Sequence, residues 1–142
     1  MPKLMLHAPA ATFDADDRRR VAGALTALAL HREALPHAPM VRSTVWTYFA
    51  DYPADTVFMG DEPAYLPVVR LQIYVLAGGL DSASKRKLIE GATTILDRRQ
   101  SGTTVAPVHV AIHEVAEKNW GIFGKQADLA ALRASNPRAP GI

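Results

Sequence analysis

Pro2 is the residue of this sequence whose position best suits catalysis. It follows a Met that aminopeptidases usually remove when the next residue is small, and residues 3–7 after it predict a short strand. Removal of Met1 would leave Pro2 with a free secondary amine. An α-amino group has a pKa of about 7.7–8.0, and an apolar pocket lowers it further, so this amine would be an unprotonated general base at neutral pH. The alternative is a proline that only permits removal of Met1.

The composition limits the other kinds of site. The chain has 142 residues, 49% hydrophobic and 21% charged, which is typical of one folded soluble domain. Because there is no cysteine, disulfides, thiolate metal sites and cysteine nucleophiles are excluded. A net charge of +2 with scattered basic residues does not favour a nucleic-acid partner. Without an apolar run near the ~20 residues of a membrane span, or a secretory signal, we predict a cytoplasmic chain with no membrane partner.

A strand–helix–strand unit must position Pro2. After the first strand, Asp14 is predicted to cap a helix over residues 15–35, which has apolar side chains at helical spacing and ends before Pro36. Residues 42–49 are β-branched and aromatic and predict the next strand.

The same unit recurs 67 residues later, where Asp81 caps a second helix. Strands are predicted before and after it, over residues 70–76 and 107–114. Such a repeat predicts an α+β fold, in which two tandem β-α-β units form one four-stranded sheet with both helices on one face.

The repeat also predicts the domain organisation. We expect a single domain over residues 1–142, with pseudo-repeat halves 2–66 and 67–125 and a C-terminal helix and tail over 126–142. The sheet face away from the helices would carry alternate apolar side chains, or their neighbours, and would need cover from another subunit. The side chains suggested for this face are Leu71, Ile73, Val108 and Val110.

These features, in this order, resemble the tautomerase superfamily, in which an N-terminal Pro starts the first strand and β-α-β halves build a pseudo-hexameric trimer. The second half, VRLQIYVLAGGLDSASKRKLIEGATTIL followed by VHVAIHEVAEKNWGIFGK, resembles a complete 4-oxalocrotonate tautomerase subunit. The first half is more similar to the cis-3-chloroacrylic acid dehalogenase group, through Pro2, His31 and the FADYPADTVFMG segment at 49–60. The resemblance covers about residues 2–125.

The resemblance implies a cofactor-independent tautomerase with Pro2 as catalytic base. It implies a small carboxylate substrate of the 2-hydroxyacrylate or dienoate type, and a homotrimer as the assembly. No cofactor and no metal are predicted.

The departures from the family keep other functions open. Short tautomerases carry a carboxylate-binding Arg between the first strand and the helix cap, and the dehalogenase group has paired arginines in the second such stretch. Here residues 10–13 and 77–80 contain no cation. The dehalogenase group's pocket Tyr and acidic water-activating residue fall near Ala111 and Ile122, so we do not predict dehalogenation as the main activity. The alternatives are an inactive trimeric binding or scaffold protein that retains Met1, or a related dehalogenase, hydratase or decarboxylase.

Four residues are candidates for binding the substrate carboxylate. His31 matches the pocket His of the dehalogenase group, and Arg42 could replace the missing clamp through its planar guanidinium. Arg70 also starts a strand, and His109 lies where short tautomerases have a strand Arg, although an imidazole is only partly charged at pH 7. For each of them the alternative is a solvated residue at a helix end or on a strand.

Aromatic side chains are the candidates for the wall of an apolar pocket around Pro2. Tyr48 and Trp120 are the two that we assign to substrate binding, and Trp46 and Phe58 are further members of this group. Their alternative role is in the core or in a subunit interface. His109 and His113 are four apart beside Glu114, but nothing completes a metal site with them.

Overall fold

Two copies of a β-α-β unit form the centre of the molecule. The structure is a computed structural model and describes residues 1–98 and 105–142. In chain order its elements are β1 (Lys3–Pro9), α1 (Ala15–Arg32), α2 (Pro39–Ser43), β2 (Trp46–Tyr52), β3 (Phe58–Met59), β4 (Glu62–Pro63), β5 (Val69–Leu76), α3 (Ser82–Leu96), β6 (Val108–Val115), β7 (Gly121–Ile122), β8 (Lys125–Gln126) and α4 (Leu129–Arg133).

The two predicted helix caps are confirmed. The Asp14 carboxylate accepts the backbone N–H of Asp17 at 2.8 Å, and the Asp81 carboxylate accepts that of Ser84 at 2.7 Å. Each bond satisfies one of the four backbone donors that the first turn of a helix leaves free. The helices α1 and α3 therefore begin at equivalent positions of the repeat.

The four long strands form one mixed sheet in the order β2-β1-β5-β6. Within each unit the strands are parallel, and β1 and β5 join the two units antiparallel. This arrangement relates the halves by a pseudo-twofold axis and confirms the predicted α+β fold with both helices on one face. A two-stranded hairpin follows each unit, β3-β4 in the first and β7-β8 in the second.

The prediction for the two sheet faces was wrong for the named side chains. Leu71 and Ile73 are fully buried beneath the helices, and Val108 and Val110 pack against the same core. Their neighbours face the other way, and that open face is aromatic and polar. Its members include Lys3, Met5, His7, Trp46, Tyr48, Arg70, Gln72, Tyr74, His109 and His113.

Two element boundaries also differ from the prediction. The helix α1 ends at Arg32 rather than near residue 35, because Ala34 takes a left-handed conformation with φ 53°. The strand β2 begins at Trp46 rather than at residue 42, because Pro39 starts the short helix α2. Proline is well suited to the first turn of a helix, where its missing N–H has no partner to lose.

Two kinds of feature are absent from the described residues. No helix among them is both long and apolar enough to cross a bilayer. No group of three or more His, Asp or Glu side chains in these ranges is arranged to hold a metal ion.

Candidate active site at the amino terminus

The amino terminus lies inside an apolar pocket rather than on the surface. Met1 is only 1% exposed, and Pro2 beside it is buried at the start of β1. The surrounding side chains come from the end of α1, from α2, from the end of β5 and from the chain after β6. We call this cluster the Met1 pocket; its members around Met1 are Leu30, Leu35, Ala38, Val41, Leu76, Trp120, Ala127 and Leu129.

One carboxyl group is buried in this pocket. Glu33 is completely buried, and its Oε2 lies 3.7 Å from the Met1 amino nitrogen. Neither carboxyl oxygen has a hydrogen-bond partner of normal geometry among the described residues, although the amino group and the Leu76 backbone are close enough to favour the charged form. A buried carboxylate is costly unless it is paired, so this position requires an explanation beyond folding.

The end of helix α1 directs Glu33 into the pocket. The Glu33 N–H donates to the Ala29 carbonyl at 3.0 Å and so completes the last helical turn. Ala34 then takes its left-handed conformation, and the Leu35 N–H returns to the Leu30 carbonyl at 2.9 Å. A left-handed residue after the last turn is a common way for a helix to end, and here it turns the chain back toward the pocket.

Arg133 of α4 fixes this helix end to the turn after β5. Its Nη2 donates to the Glu33 carbonyl at 2.9 Å and to the Gly79 carbonyl at 3.2 Å, and its Nε also donates to the Glu33 carbonyl at 3.2 Å. The guanidinium charge thus lies near the Glu33 side chain, while its bonds within residues 1–98 and 105–142 go to backbone oxygens.

Gly79 leaves room for the carboxyl group. A Cβ atom at this position would lie 3.2 Å from Glu33 Oε1 and 3.0 Å from the Leu76 carbonyl oxygen. Any side chain at Gly79 would therefore displace the carboxyl group.

Burial moves both titratable groups of the pocket toward their uncharged forms. Burial lowers the pKa of the Met1 amino group below its usual 8.0, an effect that the attraction of Glu33 reduces and the nearby Lys3 charge reinforces. Burial likewise raises the pKa of the Glu33 carboxyl group, against the attraction of the amino group and Arg133. Lys3 itself is half-buried, and this burial lowers its pKa to about 8. An amine and a carboxyl group whose pKa values move toward each other can exchange a proton at small cost.

Of the predicted substrate-binding residues, the structure brings Trp120 to the amino terminus. His31 and Arg42 are exposed, but each directly follows a wall residue of the Met1 pocket, Leu30 and Val41 respectively. Neither side chain makes a hydrogen bond or ion pair with another described residue. We call these two exposed positions, which directly follow wall residues in sequence, the rim of the Met1 pocket.

The other three lie away from Pro2 within one chain. Tyr48 is 48% exposed on the open sheet face. Arg70 pairs in register with His7 on β1 and with His109 on β6. His7 is four residues along β1 from Lys3, a distance of roughly 13 Å. At this far end Arg70 and His109 line a cavity of about 760 Å³. Met1 itself occupies the Met1 pocket.

Glu33 and Arg133 are absent from the residues singled out in the sequence. The hydrogen bond from the Arg133 side chain to the Glu33 carbonyl joins positions 100 residues apart, so local sequence patterns do not indicate it. Glu33 did leave one signal: it lies four residues after Ala29 and eight after Leu25, on the apolar face of α1.

Comparisons with known proteins support the fold. A family model described as "Putative oxalocrotonate tautomerase enzyme" matches residues 1–127. No curated protein matches the sequence.

Three solved structures illustrate the likeness. N1, a member of the cis-3-chloroacrylic acid dehalogenase family, is 23% identical over 89% of this chain and 83% of its own, with a TM-score of 0.71. The wild-type symmetric trimer of a fused 4-OT is 17% identical over 90% and 98% of the two chains, with a TM-score of 0.72. Pt0534 inactivated by 2-oxo-3-pentynoate is 12% identical over 86% and 93%, with a TM-score of 0.70.

Proposed function

The chain belongs to the tautomerase superfamily, and from that premise we propose that it is a cytoplasmic, cofactor-independent tautomerase of small 2-hydroxyacrylate or dienoate-type acids. The observation that carries the proposal is the burial of the amino terminus in an apolar pocket. Removal of Met1 would expose the Pro2 amine and vacate a volume beside it at the same time.

Pro2 is the general base of the proposed reaction. In an apolar pocket its amine is largely unprotonated at neutral pH, since burial disfavours the ammonium form. The amine takes the proton from the enol O–H of the substrate and returns it to the neighbouring carbon. The enol becomes a ketone with no redox change and no cofactor.

The substrate carboxylate is proposed to bind at the rim. Arg42 and His31 start from the rim of the Met1 pocket, so their exposed side chains can reach a group that projects out of it. Trp120 supplies an apolar wall. Tyr48, Arg70 and His109 can contribute only to the pocket of another subunit, because they lie on the open sheet face away from their own Pro2.

We propose a homotrimer as the assembly, and two observations support it. The open sheet face carries exposed aromatic side chains, including Trp46 at 42% and Tyr48 at 48%. A face of this kind favours contact with other copies of the chain. One of the similar structures is itself a symmetric trimer.

We expect a solution mass of about three times 15.4 kDa at micromolar concentration, measured by light scattering. Tyr48→Glu should dissociate the trimer, because it adds a charge to the open sheet face, which the other subunits would cover. Ile89→Glu is the matched control, since Ile89 is 40% exposed on α3 and away from that face. A wild-type monomer would contradict the assembly.

Two measurements test the function. Intact mass should show the loss of one Met, and phenylenolpyruvate or 2-hydroxymuconate should be ketonised. We further propose 2-oxo-3-pentynoate as a covalent probe, which should attach once, at Pro2. The Pro2 nitrogen forms a bond to the alkyne carbon, and the amine proton passes to the adjacent carbon.

A binding or scaffold protein is the second candidate. It is favoured by the way Met1 fills the pocket, because a retained Met1 would convert the Pro2 nitrogen into a non-basic amide. Full mass with Met1 present, no ketonisation and no labelling would support this candidate and exclude the tautomerase.

A further inference from the structure

The buried carboxyl group of Glu33 has no part in the reaction described above. It lies at 0% exposure among apolar side chains, and neither oxygen has a hydrogen-bond partner of normal geometry within the described ranges. Leucine would fill such a site at lower cost, since a buried charge without good hydrogen bonds opposes folding. The Met1 amino group is the ion-pair partner of Oε2, so removal of Met1 would free this oxygen for a molecule that enters the pocket.

Met1 marks where that molecule would lie. The Met1 amino nitrogen is 3.7 Å from Glu33 Oε2, and the Met1 carbonyl carbon is bonded to the Pro2 nitrogen. The backbone of Met1 thus bridges the space between the carboxyl group and the Pro2 nitrogen. Removal of Met1 would leave the carboxyl group beside the space that the Met1 amino group now occupies, one residue before the Pro2 nitrogen.

We infer that Glu33 is a second catalytic residue, which in its neutral acid form donates a hydrogen bond to the enol oxygen of the substrate while Pro2 transfers the proton. The inference rests on the proposed tautomerase function and deepens it. It assigns the keto–enol end of the substrate to the interior of the pocket and the carboxylate to the rim.

The chemistry balances without another reactant. Pro2 removes the enol proton, and the negative charge that develops on the oxygen accepts the Glu33 O–H. The prolinium then delivers its proton to carbon, and Glu33 keeps its own. An acid held neutral by an apolar site can stabilise an enolate in this way.

The charges around Glu33 are consistent with a neutral acid. The groups that face it are the terminal amine and Arg133, with Lys3 next to the amine. Arg133 uses its donors on backbone oxygens, so it does not form a bidentate pair with the carboxylate. Burial outweighs these attractions and raises the pKa of the Glu33 carboxyl group.

The turn after β5 leaves this side of the pocket to the Glu33 carboxyl group. Residues 77–80 contain no cation, and Gly79 within them leaves only enough room for the Glu33 carboxyl group. Glu33 thus lies on the side of the pocket next to residues 77–80, which supply no cationic donor.

The test compares Glu33→Gln, Glu33→Leu and the control Glu90→Leu in ketonisation by the mature protein. Glu33→Leu should lower kcat by about 10²–10³-fold with a smaller change in KM, because it removes one donor to the developing charge. Glu33→Gln keeps a neutral donor and should stay within about tenfold of wild type. Glu90 is exposed on α3, so Glu90→Leu should match wild type.

Two results would overturn the inference in an active protein. One is a kcat for Glu33→Leu within about threefold of wild type, because the loss of a donor to the developing charge should lower kcat far more than that. The other is a Glu33→Gln variant as inactive as Glu33→Leu, which would assign Glu33 to the charged form, as a partner of the prolinium.

Labelling by 2-oxo-3-pentynoate separates this inference from the proposed function. Attack by Pro2 places negative charge on the probe's ketone oxygen, so Glu33→Leu should slow labelling by about tenfold or more, and Glu33→Gln should not. Labelling that depends on Glu33 without turnover of the enols would reject the substrate class and retain Glu33. Equal labelling of all variants would reject Glu33, and a mature protein neither labelled nor active would reject both.

Discussion

Replacing Pro2 with alanine should lower kcat/KM for ketonisation by about 10²–10⁴-fold, the usual contribution of a positioned general base. Alanine is also small, so Met1 should still be removed and the chain should still begin with a free amine. The variant therefore removes only the secondary amine and its ring, which holds the nitrogen lone pair in one direction at the start of β1. Steady-state kinetics and intact mass on the same sample test the expectation.

The matched control is Pro137→Ala in the exposed C-terminal tail, which should keep wild-type kinetics. Unchanged turnover in Pro2→Ala with Met1 removed would show that the reaction does not require the secondary amine of Pro2. If intact mass instead shows Met1 retained in the variant but not in the wild type, the loss of activity does not distinguish a blocked amine from a missing proline ring. In that case, enzymatic removal of Met1 in vitro should leave the loss of activity unchanged.

The central architecture could be predicted from the sequence because its signals are local. Asp14 and Asp81 are helix caps whose side chains bond three residues onward, and both contacts are present. Their recurrence at a fixed interval was enough to indicate two β-α-β units. Pairing β1 with β5 then follows from the pseudo-twofold relation between the units.

The error about the sheet faces has a simple cause. Alternation along a strand shows that two faces differ, but not which of them meets the helices. Leu71 and Ile73 satisfied the pattern equally well on either face, and the helices cover them. On the open face, Lys3 Nζ lies 3.5 Å from the centre of the Trp46 ring. The Tyr74 and His113 rings are stacked there with their centres 4.6 Å apart. Such pairs join different strands and cannot be read from one strand alone.

The candidate site was predictable only in part. Pro2 and Trp120 were singled out for their residue types, and the structure brings the segments that carry them to one pocket. Glu33 was overlooked because an acidic residue in the last turn of a helix is usually solvated, even though the helix dipole disfavours it there. Its spacing from Leu25 and Ala29 was the physical clue, since a residue on the apolar stripe of a helix is directed into the core.

Replacing Glu33 with leucine should increase the stability of the protein at neutral and alkaline pH while it lowers activity. Burying a polar group without good hydrogen bonds costs about 1–3 kcal/mol, and leucine, which has a similar volume, removes that cost. The folded-state pKa of Glu33 is raised, so the folded protein binds this proton more tightly than the unfolded chain does. Wild-type stability therefore falls as pH rises from about 4.3, the unfolded value, through the folded pKa.

The leucine variant lacks this loss, so its advantage over wild type should be small near pH 4 and should grow toward pH 8. In the protein that retains Met1, the Met1 amino group acts in the same direction. Folding lowers the pKa of this amino group. Removal of its carboxylate partner therefore lowers stability most at low pH. The effect is small near pH 8, where the amino group of the unfolded chain is already half deprotonated. Thermal unfolding of wild type and variant from pH 4 to pH 8 measures the difference. Glu90→Leu controls for the loss of one exposed carboxylate on α3. A stability difference that is constant across this range, or that shrinks as pH rises, would show that Glu33 is not held as a buried acid.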